Sequence, residues 1–533
     1  MTDTFFGPPA ALTELFASAE VPSRLAYAAF VRLGPGAADA LRDNPWRLLR
    51  VPGIRPEQAD FFAKRLLGDE AGPRDPRRVV ELAAHLLLRA AGDGHTVTPV
   101  TTLLSALEAY DPGDAVEALR AAIGAGEITL AGEGTETELL GLAEFATAEE
   151  TVAEGLARLT AMADPLPPVD GAPEAIFEHG VTVLTGTPAA IERTVRALAD
   201  APNVIVLAAT DRAAKDAGGE RSAHLTLGPG PDGYSRGVDS PLEADLVIVT
   251  EASTLDVVHA AALVEACMDG THLVLAADPA APSPPAAGRV LGDVIASGVI
   301  PVTALPAEDG DAIDRVAAAA REGGLVPVDP ADRTVVIVPA GEAREAAHRA
   351  VQLVTDSIPR ALGIPAGDVL VVTPAQRGEA GANALNQALK ERLNPGPGPY
   401  DPGDRVVAAT DLPTAAAGEF GDVVAAKPDE DRVDVAFDAG TVTVPGAALR
   451  HGWAVTVQRA QGTRWPAVVA VMSGEAAGVL TRPLVVGAFT RARRHLSVVH
   501  AAGPELALAV RERQEPARRT RLAELLRENL ADL

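Results

Sequence analysis

Residues 181–198 read VTVLTGTPAAIERTVRAL, a β-branched apolar run that ends in Thr-Gly and passes at once into a helical pattern. A strand, a glycine and a helix N-terminus are the setting of phosphate-binding loops, because exposed amides and the helix dipole both favour an anion there. A working loop of that type needs G-x-x-x-x-G-K-[ST]. Counting from Gly186 puts Ile191 at the second glycine, Glu192 at the lysine and Arg193 at the Ser/Thr. The scaffold is legible, and the groups that would hold phosphate are missing from it.

Outward from this turn the texture is α/β. From about residue 176 apolar strands alternate with helical stretches, in VTVLTG, NVIVLAAT, ADLVIVTEAS and THLVLAADP. This is the pattern of βαβ units and a parallel sheet. A second series starts near 334 with TVVIVPA and DVLVVTPA and resumes at 453 with WAVTVQ, AVVAVMSG and HLSVVHAAG. Between them, residues 404–450 carry short alternating strands separated by Gly, Asp and Pro, which predict a small antiparallel β-barrel inserted into the second α/β domain. Residues 1–165 are mostly helical by period, with stops at Gly34-Pro35-Gly36, Pro52-Gly53 and Gly72-Pro73 and a short strand in EITLAG near 127. The expected division is a helical region over 1–165, a first α/β domain over 166–305 and a second over 306–533. Residues 507–529 predict one charged C-terminal helix with a solvated face.

With 533 residues and 47% hydrophobic content, the chain can build several packed cores. Its net charge of -27 excludes a protein that coats nucleic acid indiscriminately, since phosphate neutralisation needs clustered Lys and Arg. Any nucleic-acid site must be local. The single cysteine, Cys267, excludes an intramolecular disulfide and reads as a small core residue of an apolar helix. No membrane-spanning run occurs, and MTDTFFGPPA lacks the order of a signal peptide, so a cytoplasmic protein without membrane partners is expected. No metal site is expected.

Residues 32–68, RLGPGAADALRDNPWRLLRVPGIRPEQADFFAKRLLG, hold two helix-turn-helix pieces. Pro52-Gly53-Ile54 between helices has the form of a helix-hairpin-helix, whose tight turn offers backbone amides to a DNA phosphate. An ordinary αα-hairpin with a glycine C-cap gives the same spacing. Residues 41–80 carry nine Lys/Arg against six Asp/Glu, a local balance of +3 in an acidic chain. The candidate DNA contacts are Arg47, Pro52, Gly53, Ile54, Arg55 and Lys64.

DLVIVTEAS at 245–253 has the form of a Walker B strand, which ends where acidic side chains hold Mg²⁺ and position a water. Thr250 stands at the first acidic place and only Glu251 remains, a poor metal site alone.

The order of these segments resembles the RecD/TraA-type superfamily 1 DNA helicases, in the branch with a long helix-hairpin-helix N-terminus. The resemblance runs through DNPWRLLRVPGI, EHGVTVLTG, PLEADLVIVTEASTLD, GRVLGDVIASGVIPV, TPAQRGEAGANALNQAL, GDRV at 403–406, WAVTVQRAQGTRWP and GAFTRARRHLSVV. It implies two RecA-like P-loop-type domains facing a cleft, with Gly186 at a strand end and Arg491 across from it. It also implies a nucleotide loop built on Gly186, Pro188 and Thr194, and a catalytic set of Glu251, Gln461 and Arg491, where Arg491 stands at the arginine finger.

The departures fall at the nucleotide. No adenine-reading glutamine appears in VDGAPEAIFEHG, Glu192 replaces the lysine, Thr250 replaces the Walker B aspartate, AADPAAPSPP keeps Asp278 and loses its glutamine, and TALPAEDGDA shows no arginine-bearing segment. A glutamate in place of the lysine turns attraction for phosphate into repulsion. The resulting expectation is an ATPase-deficient helicase homologue in which the catalytic set is vestigial. It would bind DNA, single-stranded or junction and with low sequence specificity, as an accessory or scaffold in recombination and repair, with a protein partner there and no cofactor. The rival readings are an active ATP-dependent helicase using ATP and Mg²⁺ through an atypical loop, and a protein-interaction module without DNA binding.

Overall fold

The computed structural model describes residues 7–531 apart from 23, 112, 135–136, 200, 231–232, 307–309, 330 and 428–430. The first six residues of the N-terminus and part of the 303–312 segment discussed above therefore lie outside the described residues. The helical N-terminal region closes with a small antiparallel sheet of β1 (Val97–Pro99), β2 (Ile128–Ala131) and β3 (Leu139–Leu142), in the order β1-β3-β2. Its core gathers Phe16, Leu41, Trp46, Phe62, Leu82 and Leu107, all within 1% of complete burial.

Two parallel sheets follow, as the runs of Val, Ile and Leu predict for strands covered on both faces. The first contains β4 (Val181–Thr185), β5 (Val204–Leu207), β8 (Leu246–Thr250), β9 (His272–Ala277) and β10 (Val302–Ala304), in the order β10-β4-β9-β8-β5. A two-stranded ribbon of β6 (Pro229–Gly230) and β7 (Gly233–Tyr234) projects between β5 and β8. The second contains β11 (Val335–Pro339), β12 (Val369–Thr373), β18 (Ala454–Thr456), β19 (Trp465–Ser473) and β20 (Ala492–Ala501), in the order β11-β20-β19-β12-β18. All their pairings are parallel.

The insert consists of β13 (Arg405–Ala408), β14 (Phe420–Lys427), β15 (Arg432–Phe437), β16 (Gly440–Val444) and β17 (Leu449–His451). Its pairing order, β16-β15-β14-β13-β17, is antiparallel throughout and leaves β16 and β17 as two edges. The insert predicted as a small antiparallel barrel is a five-stranded antiparallel sheet that encloses one core, with Val406, Val423, Val435, Val444 and Leu449 buried together. Alternation reports one buried face and carries no information on pairing order.

The C-terminus departs from expectation. Helix Pro504–Glu512 ends, residues 513–521 run extended, and a second helix spans Leu522–Leu530. Pro516 lies within the extended stretch, where its missing N–H and fixed φ interrupt a helix. Leu522, Leu525 and Leu526 join the core of the first α/β domain, against Val152, Leu156 and Val294. Arg511 and Arg519 are exposed, whereas two other tail cations are engaged with the first domain. Arg518 donates to the carbonyls of Pro284, Ala286 and Gly288 at 2.7–2.9 Å, and Arg527 to those of Ala296 and Ser297. The last stretch of the second domain therefore belongs by packing to the first.

Where the tail, the N-terminal region and the first domain meet, Glu149 is fully buried and accepts from the Thr96 hydroxyl at 2.9 Å and the Arg521 amide at 3.0 Å. Burial pushes its carboxyl up to about 7 from 4.5, and Asp293 nearby is pushed up to about 6 for the same reason. A raised native pKa means that the folded state holds its proton more tightly than the unfolded chain. This contribution to stability is complete below pH 4.5 and is lost as pH rises through about 7. At 1.36 kcal/mol per unit, the Glu149 part is of order 3 kcal/mol. Thermal unfolding followed from pH 5 to 7.5 should show stability falling with pH, with a shallower slope in Glu149→Gln. Equal slopes in the two proteins would exclude Glu149 as the source.

Candidate functional site

The turn after β4 is short, and its polar groups are engaged within the chain. The helix Pro188–Ala199 begins two residues past Gly186, which directly follows β4, with proline at its first position. Thr187 caps it: its hydroxyl accepts from the Ala190 amide and its carbonyl from the Ile191 amide. The Gly186 amide is spent on the Ala277 carbonyl. Ile191 is buried under the sheet, and Thr194 is buried with its hydroxyl donating to the Ala190 carbonyl. Thr194 thus packs as a core residue of the helix. Pro188 lines the cleft and Gly186 lies at the strand end behind it.

Glu192 projects from this helix into the cleft between the two parallel sheets. There it meets Arg464 at 3.2 Å and Arg493 at 3.9 Å, both carried by the second domain. Arg493 also pairs with Asp216 at 3.0 Å. Arg491, only 3% exposed, lies 2.9 Å from Glu251, and Arg321 lies 2.5 Å from Asp278. Four carboxylates of the first domain therefore face four arginines of the second. The cavity left between them is about 70 Å³, against the several hundred Å³ of a usual small-molecule pocket.

Two backbone features hold this arrangement. Glu251 has φ of 50°, left-handed for a residue other than glycine, a conformation that needs support from its surroundings. Support comes from the Gly462 amide, which donates to its carboxylate at 2.7 Å, and from Arg491. Gly462 itself has φ of 79°, and a Cβ there would lie 2.8 Å from the Ala209 Cβ, so only glycine fits. Thr250, at the Walker B aspartate position, turns its hydroxyl to the Leu207 carbonyl of β5. Gln461 is buried with neither amide atom hydrogen-bonded and is not among the residues lining the cleft cavity. The structure thus brings Glu251 and Arg491 together and gives the Gln461 side chain no hydrogen bond to either. Arg464, Asp216 and Arg321 escaped the sequence reading. Arg464 was within reach, three residues after Gln461, whereas Asp216 and Arg321 sit in helices with no motif.

The N-terminal hairpin presents a different surface. Its first arm is a 3-10 turn, Pro45–Arg50, capped by the Asn44 side chain, and its second is the helix Pro56–Leu67. Gly53 between them has φ of 83°, and a Cβ there would meet nothing within 4 Å, so the outer side of the turn is open. Pro52 and Gly53 are exposed. Ile54 is buried and its amide bonds to the Val51 carbonyl, while the Arg55 amide donates to the Gln58 side chain. The expected row of free amides is reduced accordingly. Arg47 is turned to Glu81 and Glu127, which also hold Arg50, so it serves an internal network. Arg55 and Lys64 are exposed and have no carboxylate within 4 Å among the described residues. Beside them Phe61 is 48% exposed, with the Arg65 guanidinium 5.3 Å from its ring centre. An exposed aromatic ring among cations is the composition of a base-stacking platform, and Phe61 was not among the candidate contacts read from the sequence.

Residues 10–97 match the ATP-dependent RecD2 DNA helicase HHH domain, and residues 451–499 match the UvrD-like helicase C-terminal domain. The first match spans the hairpin, and the second spans Gln461 through Arg493. An ATP-dependent RecD2 DNA helicase of Deinococcus radiodurans is 29% identical over 566 residues, covering 94% of this chain and 76% of that protein. The RecBCD enzyme subunit RecD of Mycolicibacterium smegmatis is 29% identical over 310 residues, 52% of this chain and 54% of its own. Among solved structures, a Pif1 helicase from Bacteroides in complex with ADP-AlF3 and ssDNA covers 61% of this chain and 90% of its own, at 14% identity and a TM-score of 0.39.

Reversing the charge at Glu192 tests the reading of the cleft. In Glu192→Lys a cation would face Arg464, whose guanidinium burial already disfavours its charged form. Glu192 is partly exposed, so the cost lies between the surface and buried limits, at about 2 kcal/mol. Chemical denaturation should show this loss in the transition of the α/β domains. An unchanged midpoint would mean that the cleft pairs contribute nothing.

Proposed function

We propose that this homologue of the RecD2-type DNA helicases binds DNA without using ATP, as an accessory or scaffold factor in recombination and repair. The observation that carries the reading is the cleft, where acidic side chains of the chain itself occupy the arginines that would otherwise meet phosphate. An arginine finger stabilises a transferring phosphoryl group only when that group is bound opposite it. Here Arg491 is held by Glu251, and a nucleotide would have to displace Glu251, Glu192 and Asp216 to reach Arg491, Arg464 and Arg493. ATP and Mg²⁺ are not required for the proposed activity. Its expected setting is the cytoplasm, and among the described residues no helix is long and apolar enough to cross a membrane.

DNA contact is assigned to the hairpin, through Arg55 and Lys64 on phosphate and Phe61 on bases. Phosphate contacts position a protein without reading sequence, so low sequence specificity is expected. Net charge elsewhere opposes DNA, which confines the site to this face.

Two measurements on the full chain test the proposal. Mg²⁺-ATP at millimolar concentration should leave thermal stability unchanged, whereas a ligand at 100 times its dissociation constant adds about 2.7 kcal/mol. DNA-stimulated phosphate release that disappears in Glu251→Gln would establish a live ATPase and sink this part. Fluorescence anisotropy with labelled single-stranded and duplex oligonucleotides should show binding that weakens with salt, with a log-log slope of about -0.7 per phosphate contact on a single strand. The Arg55→Glu/Lys64→Glu double variant should lose most of the affinity, and Arg491→Ala little. Absence of binding to either oligonucleotide at low salt would leave a protein-interaction module.

A further inference from the structure

Away from the cleft, three side chains from separate segments converge where the first α/β domain meets the inserted sheet. His224 comes from the short helix Ala223–Leu227, His259 from the helix Val257–Ala266, and Asp411 from the loop joining β13 to β14. Their candidate ligand atoms all lie within 4.8 Å of one another. His259 Nε2 is 3.4 Å from Asp411 Oδ2, and His224 Nδ1 is 3.8 Å from Asp411 Oδ1.

The partners of each ring fix which nitrogen faces the site. His224 Nε2 lies 2.8 Å from the Leu412 carbonyl, which only accepts, so Nε2 carries the hydrogen and the Nδ1 lone pair points inward. His259 Nδ1 lies 2.8 Å from an Asp256 oxygen, and that carboxylate is itself pinned by the amides of Val258 and His259. Nδ1 is therefore a donor, and Nε2 faces Asp411, so the ring stands between two carboxylates and shares a proton with Asp411 in the absence of a metal. The His224 Nδ1 lone pair, His259 Nε2 and the Asp411 carboxylate thus face one another, with the Tyr234 hydroxyl 2.9 Å from His224 Nδ1. A metal cation would take the place of that shared proton as the positive centre of the group. The outer contacts, imidazole to carbonyl and imidazole to carboxylate, are those that orient histidines on metals.

We infer that His224, His259 and Asp411 bind one divalent transition-metal ion of the zinc class, which staples the inserted sheet to the first α/β domain. Two imidazoles and one carboxylate suit Zn²⁺, and tetrahedral bonds of about 2.0–2.2 Å place neighbouring ligand atoms roughly 3.3 Å apart. The two distances to Asp411 are already close to that spacing. Binding draws the two histidines together, with the Tyr234 hydroxyl releasing Nδ1 and a water completing the shell. The ion would fix Asp411 and Leu412, and with them the β13–β14 loop, whose Asp411 also accepts from the Ala417 amide.

The test is zinc uptake by the full-length protein after stripping with chelator and dialysis into metal-free buffer. One Zn²⁺ per chain is expected, with a rise in melting temperature that chelator reverses. Asp411→Asn and His259→Ala, each checked for folding by circular dichroism, should lose stoichiometric uptake. Asp256→Asn should weaken it about tenfold, and Tyr234→Phe should bind at least as tightly as wild type. Should the ligand variants fail to fold, long-range ¹H–¹⁵N spectra of the wild-type histidines decide, with metal expected on Nδ1 of one ring and Nε2 of another. No uptake by the wild-type chain, or equal uptake by folded Asp411→Asn and His259→Ala, overturns the inference and leaves an ordinary His–Asp contact.

Discussion

Arginines packed side by side repel one another and need anions between them. Arg464, Arg491 and Arg493 of the second domain form such a group, and the rest of the cleft is arranged to answer it. Burial disfavours the charge of Arg464, with Arg491 as the next contribution in the same direction. Where a bound phosphate would supply the counter-charge, the chain supplies Glu192, Asp216 and Glu251, with Asp278 taking Arg321. In an environment less polar than water each of these attractions is stronger than at an open surface. Each also depends on its neighbours, because taking away one carboxylate leaves a partly buried cation facing another. The left-handed backbone at Glu251 and the close approach of Gly462 to Ala209 are local consequences of keeping this group of charges together.

Much of this was legible in the sequence, for reasons that can be stated. The parallel sheets announced themselves as continuous apolar runs, because strands covered on both faces have no polar side to alternate with. Glu192 and Thr250 were visible as departures because the motifs around them fix register to the residue. What they do instead was not legible. Nothing local tells that Glu192 will find Arg464, which is far along the chain and comes near only when two domains face each other. The pairing order of the insert and the division of the C-terminus were not legible for a related reason. Alternation and charge describe one segment at a time, whereas strand pairing and the docking of Leu522, Leu525 and Leu526 are decided by distant partners. Arg47 shows the same limit, since its basic character was plain and its engagement by Glu81 and Glu127 was not.

The charge of the chain is unevenly used. An excess of acid keeps most of the surface away from polyanions, and several basic residues of the N-terminal region are taken up by intramolecular pairs, as with Arg78 on Asp60 and Arg50 on Glu81. The hairpin helix keeps a small basic face, with Arg55 and Lys64 beside Phe61. Net charge and local charge therefore answer different questions, one about unspecific attraction and the other about where a strand can lie.

The extended tail at 513–521 has a mechanical consequence. The chain crosses from the first α/β body to the second after β10 and crosses back through this tail, so the same two bodies are tethered at two places. Two fixed points define a line. Any separation of the bodies short of unfolding must then approximate rotation about that line, and translation or free swivelling is suppressed. Arg518, seated among three carbonyls, anchors one end of the axis. The cleft pairs oppose that rotation directly, as do the contacts of the inserted sheet with the first domain.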